Sequence, residues 1–159
     1  MTMSLRRLLP GDQEFLFQLY ASTREQEFSA LGWIAAQLET FLQMQFAAQQ
    51  QWYATAYPGA EHHIVLLDAA PIGRMIVDTG ESATTLVDIS LLPAHRNRGI
   101  GGVLLRGLLE RCGAARTKVK LQVLKKNPAA RLYERLGFVK TREDDMYLHM
   151  EKPVEQNYR

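Results

Sequence analysis

The apolar positions of this chain change their period along its length, and the changes outline its elements. Ser4 to Leu9 reads as a first strand. Phe15, Leu16, Leu19 and Tyr20 then recur on one stripe behind Asp12, a residue type that caps helices, and Leu31-Gly32 breaks that helix. Ile34, Leu38, Phe41 and Leu42 carry a second helix from Trp33 to about Gln51. After the turn Tyr57-Pro58-Gly59, two strands (His62 to Leu67 and Ile72 to Val77) flank the turn Asp68-Ala69-Ala70-Pro71. Asp78 to Glu81 leads into a strand from Thr84 to Leu92, and a leucine-striped helix (Leu104, Leu105, Leu108, Leu109) follows. Val119, Leu121 and Val123 share one face of the next strand. A helix from Asn127 to Leu136, a short strand at Gly137-Phe138-Val139 and a last strand near Met146 to Met150 complete the order β-α-α-β-β-β-α-β-α-β-β. That order predicts an α+β fold with one mixed sheet.

The junction between the Thr84 strand and the leucine-striped helix holds the strongest chemical signal. Its sequence is Leu91-Leu92-Pro93-Ala94-His95-Arg96-Asn97-Arg98-Gly99-Ile100-Gly101-Gly102. A strand, a basic glycine-rich loop and a helix N-terminus make an anion site, because glycines let backbone N–H groups approach phosphate oxygens and the helix end adds positive potential. The loop is not that of the nucleotide triphosphatases, which need Lys-Ser/Thr after the last glycine; here Gly102 and Val103 follow Gly101. Nor does it complete the dinucleotide fingerprint. Position 104 is Leu, and no acidic residue lies between Arg111 and Glu134.

What remains, Arg96-x-x-Gly99-x-Gly101, resembles the coenzyme A pyrophosphate loop of the GCN5-related N-acetyltransferase (GNAT) superfamily. A second segment, Asn127-Pro-Ala-Ala-Arg-Leu-Tyr133-Glu-Arg-Leu-Gly137-Phe138, looks like that superfamily's second cofactor motif. The resemblance is specific over Thr84 to Phe138 and extends as a matching element order over about residues 3 to 152. It implies the GNAT fold: a central, mixed, mostly antiparallel twisted sheet of six to seven strands flanked by four helices. It also implies acetyl-CoA as acyl donor and a single domain over 1–152, followed by a polar tail, 153–159.

The resemblance assigns to the cofactor the backbone of Ile89, Ser90 and Leu91, the loop residues Arg96, Asn97, Arg98, Gly99, Ile100, Gly101 and Gly102, and then Asn127, Ala130 and Tyr133. In this superfamily the loop acts mostly through its backbone, so the glycines matter more than the arginines. Tyr133, four residues before Gly137-Phe138, stands where the family places its general acid. A phenol of pKa ~10 beside a departing thiolate of pKa ~8.5 can protonate it. Asn127 departs from the usual spacing: Lys126 stands seven residues before the tyrosine and Asn127 six. Asn127-Pro128 is equally an N-cap followed by proline, so cofactor contact and helix capping both stand as readings.

Asp88 shares a strand face with Leu86, Ser90 and Leu92. A carboxylate in mid-strand is costly unless hydrogen-bonded, paired or functional. Family members often place a carboxylate on this strand to take the amine proton. Asp88 is therefore read either as catalytic base or amine anchor, or as a structural carboxylate. Tyr20, Arg24, Trp33 and Gln45, with Asp88, are the candidate acceptor contacts. Each of the four helical residues also reads as a helix end or core edge. Tyr147 and His149 on the last strand stay open in the same way, and Glu143-Asp144-Asp145 reads as a solvated turn or as a lure for a cationic acceptor.

Bulk properties narrow the partners. The chain has 159 residues, 47% of them hydrophobic and 23% charged, which suits one globular domain. A net charge of +2 gives no reason to expect nucleic acid. No apolar run is long enough to span a membrane, and the N-terminus lacks a signal-peptide core. The one cysteine, Cys112, continues a leucine stripe; it forms no internal disulfide and fits the cytoplasm. No metal site is expected, since adjacent His62 and His63 on a strand point to opposite faces. The expected activity is acetyl transfer from acetyl-CoA to a primary amine, either of a small molecule or of a protein amino group, by direct attack. Family habit allows a homodimer. One alternative is a non-catalytic acyl-CoA-binding or sensing module on the same fold. Another is an interaction protein with a vestigial loop, against which Gly99, Gly101 and Tyr133 argue.

Overall fold

The computed structural model describes residues 1–154; positions 155–159 of the expected polar tail lie outside the described residues. The elements follow the expected order: β1 (Met3–Arg7), α1 (Gln13–Ser29), α2 (Ala35–Ala56), β2 (Glu61–Leu67), β3 (Ala70–Thr79), β4 (Ala83–Leu91), α3 (Ile100–Ala114), β5 (Lys118–Leu124), α4 (Ala129–Arg135), β6 (Val139–Glu143) and β7 (Tyr147–Lys152). The strands form one seven-stranded sheet in the order β1-β2-β3-β4-β5-β7-β6. β1 and β2 pair antiparallel, as do β5 with β7 and β6 with β7, whereas β4 and β5 run parallel. The α+β class, seven strands and four α-helices agree with the expectation.

The chain divides into two compact units. The first comprises Met1–Met75 and Ser90–Arg96, and the second Ile76–Ile89 with the chain from Asn97 onward.

In the first unit, α1 and α2 close a core of Leu16, Phe17, Tyr20, Ala21, Leu42, Phe46 and Ile64. Leu16, Tyr20 and Leu42 come from the helical stripes read in the sequence, with Phe15 and Leu38 packed partly buried against them, whereas Ile34 is exposed just before α2. Phe17 meets Phe46 edge-on, with centroids 5.7 Å apart. Two details differ from the sequence reading. Asp12 makes no side-chain cap on α1. Its carboxylate instead accepts the Leu9 N–H at 2.7 Å and both terminal nitrogens of Arg6 at 2.8 Å, fixing a 3-10 turn at Pro10–Asp12 that precedes the helix. Helix α2 begins later than expected and runs on to Ala56, because nothing from Gln49 to Ala56 stops a helix and Tyr53 is buried.

In the second unit, β5 alternates as expected, with Val119, Leu121 and Val123 inward. Leu104, Leu105, Leu108 and Cys112 form the buried stripe of α3, so the cysteine is a core residue. The register Leu121↔Met150 fixes β5 against β7, and Phe138 and Met150 are buried.

Candidate active site

The glycine loop folds as an anion-binding turn. Asn97 and Gly99 have left-handed backbones, with φ +60° and +80°, and Gly99 is the N-cap of α3. The helix proper starts when the Val103 N–H donates to the Gly99 carbonyl at 3.1 Å. The N–H groups of Ile100, Gly101 and Gly102 therefore precede the intrahelical bonding pattern and point out of the helix end. A Cβ on Gly99 would meet nothing within 4 Å, so the space before the helix end is open. Small residues, a left-handed entry and unbonded N–H groups together fit a pyrophosphate. Gly102 is buried, with the Arg106 guanidinium folded over it: a Cβ there would lie 3.5 Å from Arg106 Nη1.

The two motifs meet inside the second unit. A Cβ on Gly101 would lie 3.8 Å from Leu132 Cδ2, which places the first turn of α3 against α4, one residue from Tyr133. Helix α4 starts because Asn127 Oδ1 accepts the Ala129 N–H at 2.9 Å and the Asn127 carbonyl accepts the Ala130 N–H at 3.2 Å. That is capping, the structural reading of Asn127. Tyr133 is buried, and its ring stands edge-on to Phe138 at 5.7 Å. Burial, then the negative charge of Asp88, push its phenol up to about 12. Asp88 itself is half-buried on β4. The structure thus brings together Gly101, Leu132, Tyr133 and the field of Asp88.

The first unit holds the other candidates. Tyr20 donates its hydroxyl to Gln45 Oε1 at 3.3 Å, and the Arg24 guanidinium lies over the Tyr20 ring at 5.4 Å from its centroid. Burial raises the Tyr20 phenol above its ordinary value. Trp33 does not join them; it stacks on Phe28 at 5.9 Å and meets Phe41 edge-on at 5.1 Å. Arg96 Nε donates to the Leu91 carbonyl at 2.9 Å, and its Nη2 reaches Ser22 Oγ at 3.5 Å. Part of this guanidinium is therefore engaged with β4 and α1. His95 Nδ1 is buried without a partner among the described residues, a feature the sequence reading passed over.

The acidic turn is largely occupied. Asp144 pairs with His149 Nε2 at 3.0 Å and accepts the N–H groups of Met146 and Tyr147 at 2.9 and 2.7 Å. Those bonds hold its carboxyl at about 2. Glu143 pairs with Lys125 and Lys140 at 3.3 and 3.2 Å. Two of the three carboxylates thus fasten the β6–β7 turn. A recess of about 1,220 Å³ in the second unit is lined by Arg106, Cys112, Arg116, Arg135 and Lys152, among others, and by none of the expected site residues.

A family model described as an acetyltransferase (GNAT) domain matches residues 58–140, which hold both motifs and the strand between them. The chain belongs to the GNAT family. The acyl donor of that family is acetyl-CoA. No curated protein sequence matches this one. Solved structures share the fold. The PaiA N-acetyltransferase of Thermoplasma acidophilum, in complex with coenzyme A, is 17% identical, with 97% of this chain and 100% of that one covered at TM-score 0.72. An acetyltransferase of Thermus thermophilus is 19% identical over 97% and 98% of the two chains, at TM-score 0.64. The ribosomal-protein-S18-alanine N-acetyltransferase of Escherichia coli is also 19% identical, over 99% and 97%, at TM-score 0.64. At these identities the likeness establishes the GNAT fold.

Proposed function

We propose that residues 1–152 act as one acetyl-CoA-dependent N-acetyltransferase domain that acetylates a primary amine by direct attack. The observation that supports this most is the joining of the two motifs, where Gly101 of the anion loop packs on Leu132, beside Tyr133. The N–H groups of Ile100, Gly101 and Gly102 are assigned to the pyrophosphate, and the backbone of Ile89 to Leu91 to the pantetheine arm. Bound acetyl-CoA supplies the thioester, whose carbonyl carbon bonds the amine nitrogen while the C–S bond breaks and sulfur leaves with the electron pair. Asp88 takes the proton that the amine nitrogen sheds. Tyr133 gives its hydroxyl proton to the sulfur. Tyr20, Arg24, Trp33 and Gln45 are the acceptor contacts proposed within the first unit. Holding both reactants supplies much of the acceleration. The single cysteine suits a reducing compartment such as the cytoplasm.

The pKa of Tyr133 sets a condition on this mechanism. A phenol at about 12 stays protonated at neutral pH but is a weaker acid than a thiol at ~8.5. Transfer would be uphill by roughly 5 kcal/mol if nothing else changed. Asp88 offsets part of this: when it accepts the amine proton, its charge vanishes and the phenol becomes a stronger acid, while burial, the larger cause, remains. The same weak acidity favours, as a second reading, a module that binds acyl-CoA without turnover.

Thermal unfolding with acetyl-CoA, coenzyme A and ATP tests the donor. At one hundred times the dissociation constant, a ligand adds about 2.7 kcal/mol of stability. A rise in Tm with both coenzyme A species and not with ATP supports the assignment; no rise at millimolar acetyl-CoA rejects it. An amine screen with Tyr133→Phe as control then separates enzyme from binding module.

A further inference from the structure

Helix α2 turns an uncharged face to solvent along its whole length. Of its 22 residues only Glu39 carries a charge. The other long helices differ: Glu14, Glu25 and Glu27 stand exposed on α1, and Arg106, Glu110 and Arg111 on α3. At about 100° per residue, Met44 lies diametrically opposite the buried Tyr53 and so marks the centre of the outward face. The face of a helix that points away from a core is ordinarily charged or polar. This one presents Gln37, Thr40, Met44, Ala47, Ala48 and Gln51, all exposed, with Met44 67% exposed and Trp52 on its flank 50%.

The row is symmetric about Met44. Gln37 and Gln51 stand seven residues to either side, about 10 Å along the axis and within about 20° of the Met44 line. On one flank Thr40 precedes Met44 and Ala47 follows it; on the other Phe41 precedes and Ala48 follows. A second α2 laid antiparallel across a two-fold axis at Met44 therefore sets Met44 on Met44, Gln37 on Gln51, Thr40 on Ala47 and Phe41 on Ala48. Each pairing puts like against like or a larger side chain against an alanine. Glutamine amides carry both donors and an acceptor, so Gln37 and Gln51 satisfy one another. A recess of about 580 Å³ over the first half of the helix, lined by Trp33, Ala36, Gln37, Thr40, Phe41 and Met44, receives the Ala47–Ala48 ridge of the second copy.

Two other occupants fit less well. A small acceptor in the recess leaves the row from Ala47 to Thr55 uncovered on a helix about 33 Å long. A charged partner finds no opposite charge, since Glu39 lies about 140° around the helix from Met44. An identical surface meets neither objection. Across a two-fold axis any charge near Met44 would face its own kind, and none is there.

We propose that the outward face of α2 is a docking surface for a second copy of this chain, packed antiparallel about Met44. The proposal does not depend on the acetyl-CoA assignment.

Sedimentation velocity on the full chain over a rising concentration series tests it. The wild type is expected to pass from monomer to dimer. Met44→Glu sets two carboxylates against each other across the axis and should weaken the dimer at least ~10-fold. Its position is exposed, so the dilute variant should keep the Tm of the dilute wild type. Oxidative cross-linking with copper phenanthroline reads the register. Met44→Cys should couple to itself. Gln37→Cys alone should not, whereas Gln37→Cys combined with Gln51→Cys should, and those two positions are about 21 Å apart within one helix, too far to bridge in one chain. Cys112 is buried and takes no part. A wild type that stays monomeric throughout, undiminished association in Met44→Glu, or coupling of Gln37→Cys alone as fast as Met44→Cys overturns the proposal. A monomer whose Tm rises with tryptamine, and no longer does so in Met44→Glu, overturns it in favour of an apolar acceptor.

Discussion

Asp88 and Tyr133 are coupled through charge: burial is the larger cause, but the Asp88 carboxylate adds to it in holding the Tyr133 phenol at about 12. Removing that charge should let the phenol ionise more easily. In Asp88→Asn, Tyr133 is expected to titrate below its wild-type position yet still above ~10, because burial remains. Ultraviolet titration of tyrosinate, differenced against the same protein carrying Tyr133→Phe, reads this one phenol among six tyrosines. An unchanged midpoint would show that the two groups do not communicate.

Tyr133→Phe removes the proposed proton donor and leaves the ring and its edge contact with Phe138 in place. Turnover on any accepted amine should fall by ~10²–10⁴-fold, the usual worth of a positioned acid. The dissociation constant for coenzyme A should change little. Steady-state rates and a thermal-shift titration on the same samples decide it. Equal kcat in both proteins would assign the phenol to packing.

The loop and β5 were legible because their information is local. Gly99 and Gly101 announce a close backbone approach within three residues, and the alternation of Val119, Leu121 and Val123 needs no knowledge of β7. What the sequence hid depends on partners far along the chain. Asp12 looked like a helix cap because Arg6, which takes its carboxylate, is placed by where β1 ends. Tyr20 and Gln45 are 25 residues apart, so their hydrogen bond appears only once α1 and α2 pack. The contacts of Trp33 with Phe28 and Phe41 likewise join the end of α1 to α2 and appear only once the helices pack.

The glycines of the loop should separate fold from binding. Gly101→Ala adds a methyl at ordinary contact distance from Leu132 and within a helix, so Tm should hold or rise slightly. On the proposed assignment, in which the Gly101 backbone approaches the pyrophosphate, coenzyme A affinity should fall at least tenfold. Gly99→Ala forces a side chain into the left-handed region at φ +80° and should cost ~1–2 kcal/mol of stability as well. Calorimetric titration with coenzyme A beside denaturant unfolding gives both numbers. Full affinity in Gly101→Ala would remove the loop from the cofactor site.

Asn127→Ala should behave in the opposite sense. Its side chain accepts the Ala129 N–H, so deletion frees the start of the seven-residue helix α4 and should cost about 1 kcal/mol. Binding of coenzyme A should stay within a few-fold. Guanidinium unfolding curves alongside the binding titration test this. A large loss of affinity with unchanged stability would make Asn127 a cofactor contact.

Asp12 gives the chain an acid-sensitive clasp. The Arg6 guanidinium, with the Leu9 N–H, pulls its carboxyl from an ordinary 3.8 down to about 2 in the folded protein. Because the folded value is the lower one, the native state binds this proton less readily than the unfolded chain. The stabilisation is therefore full above roughly pH 5 and drains away as pH falls towards 2. With Arg6 partly open to solvent, its size is about 1–2 kcal/mol. Asp12→Asn should be less stable than wild type by that amount at pH 7, and the two unfolding curves should converge by about pH 2. A gap that persists unchanged into acid would mean the clasp works through shape and neutral hydrogen bonds rather than through charge.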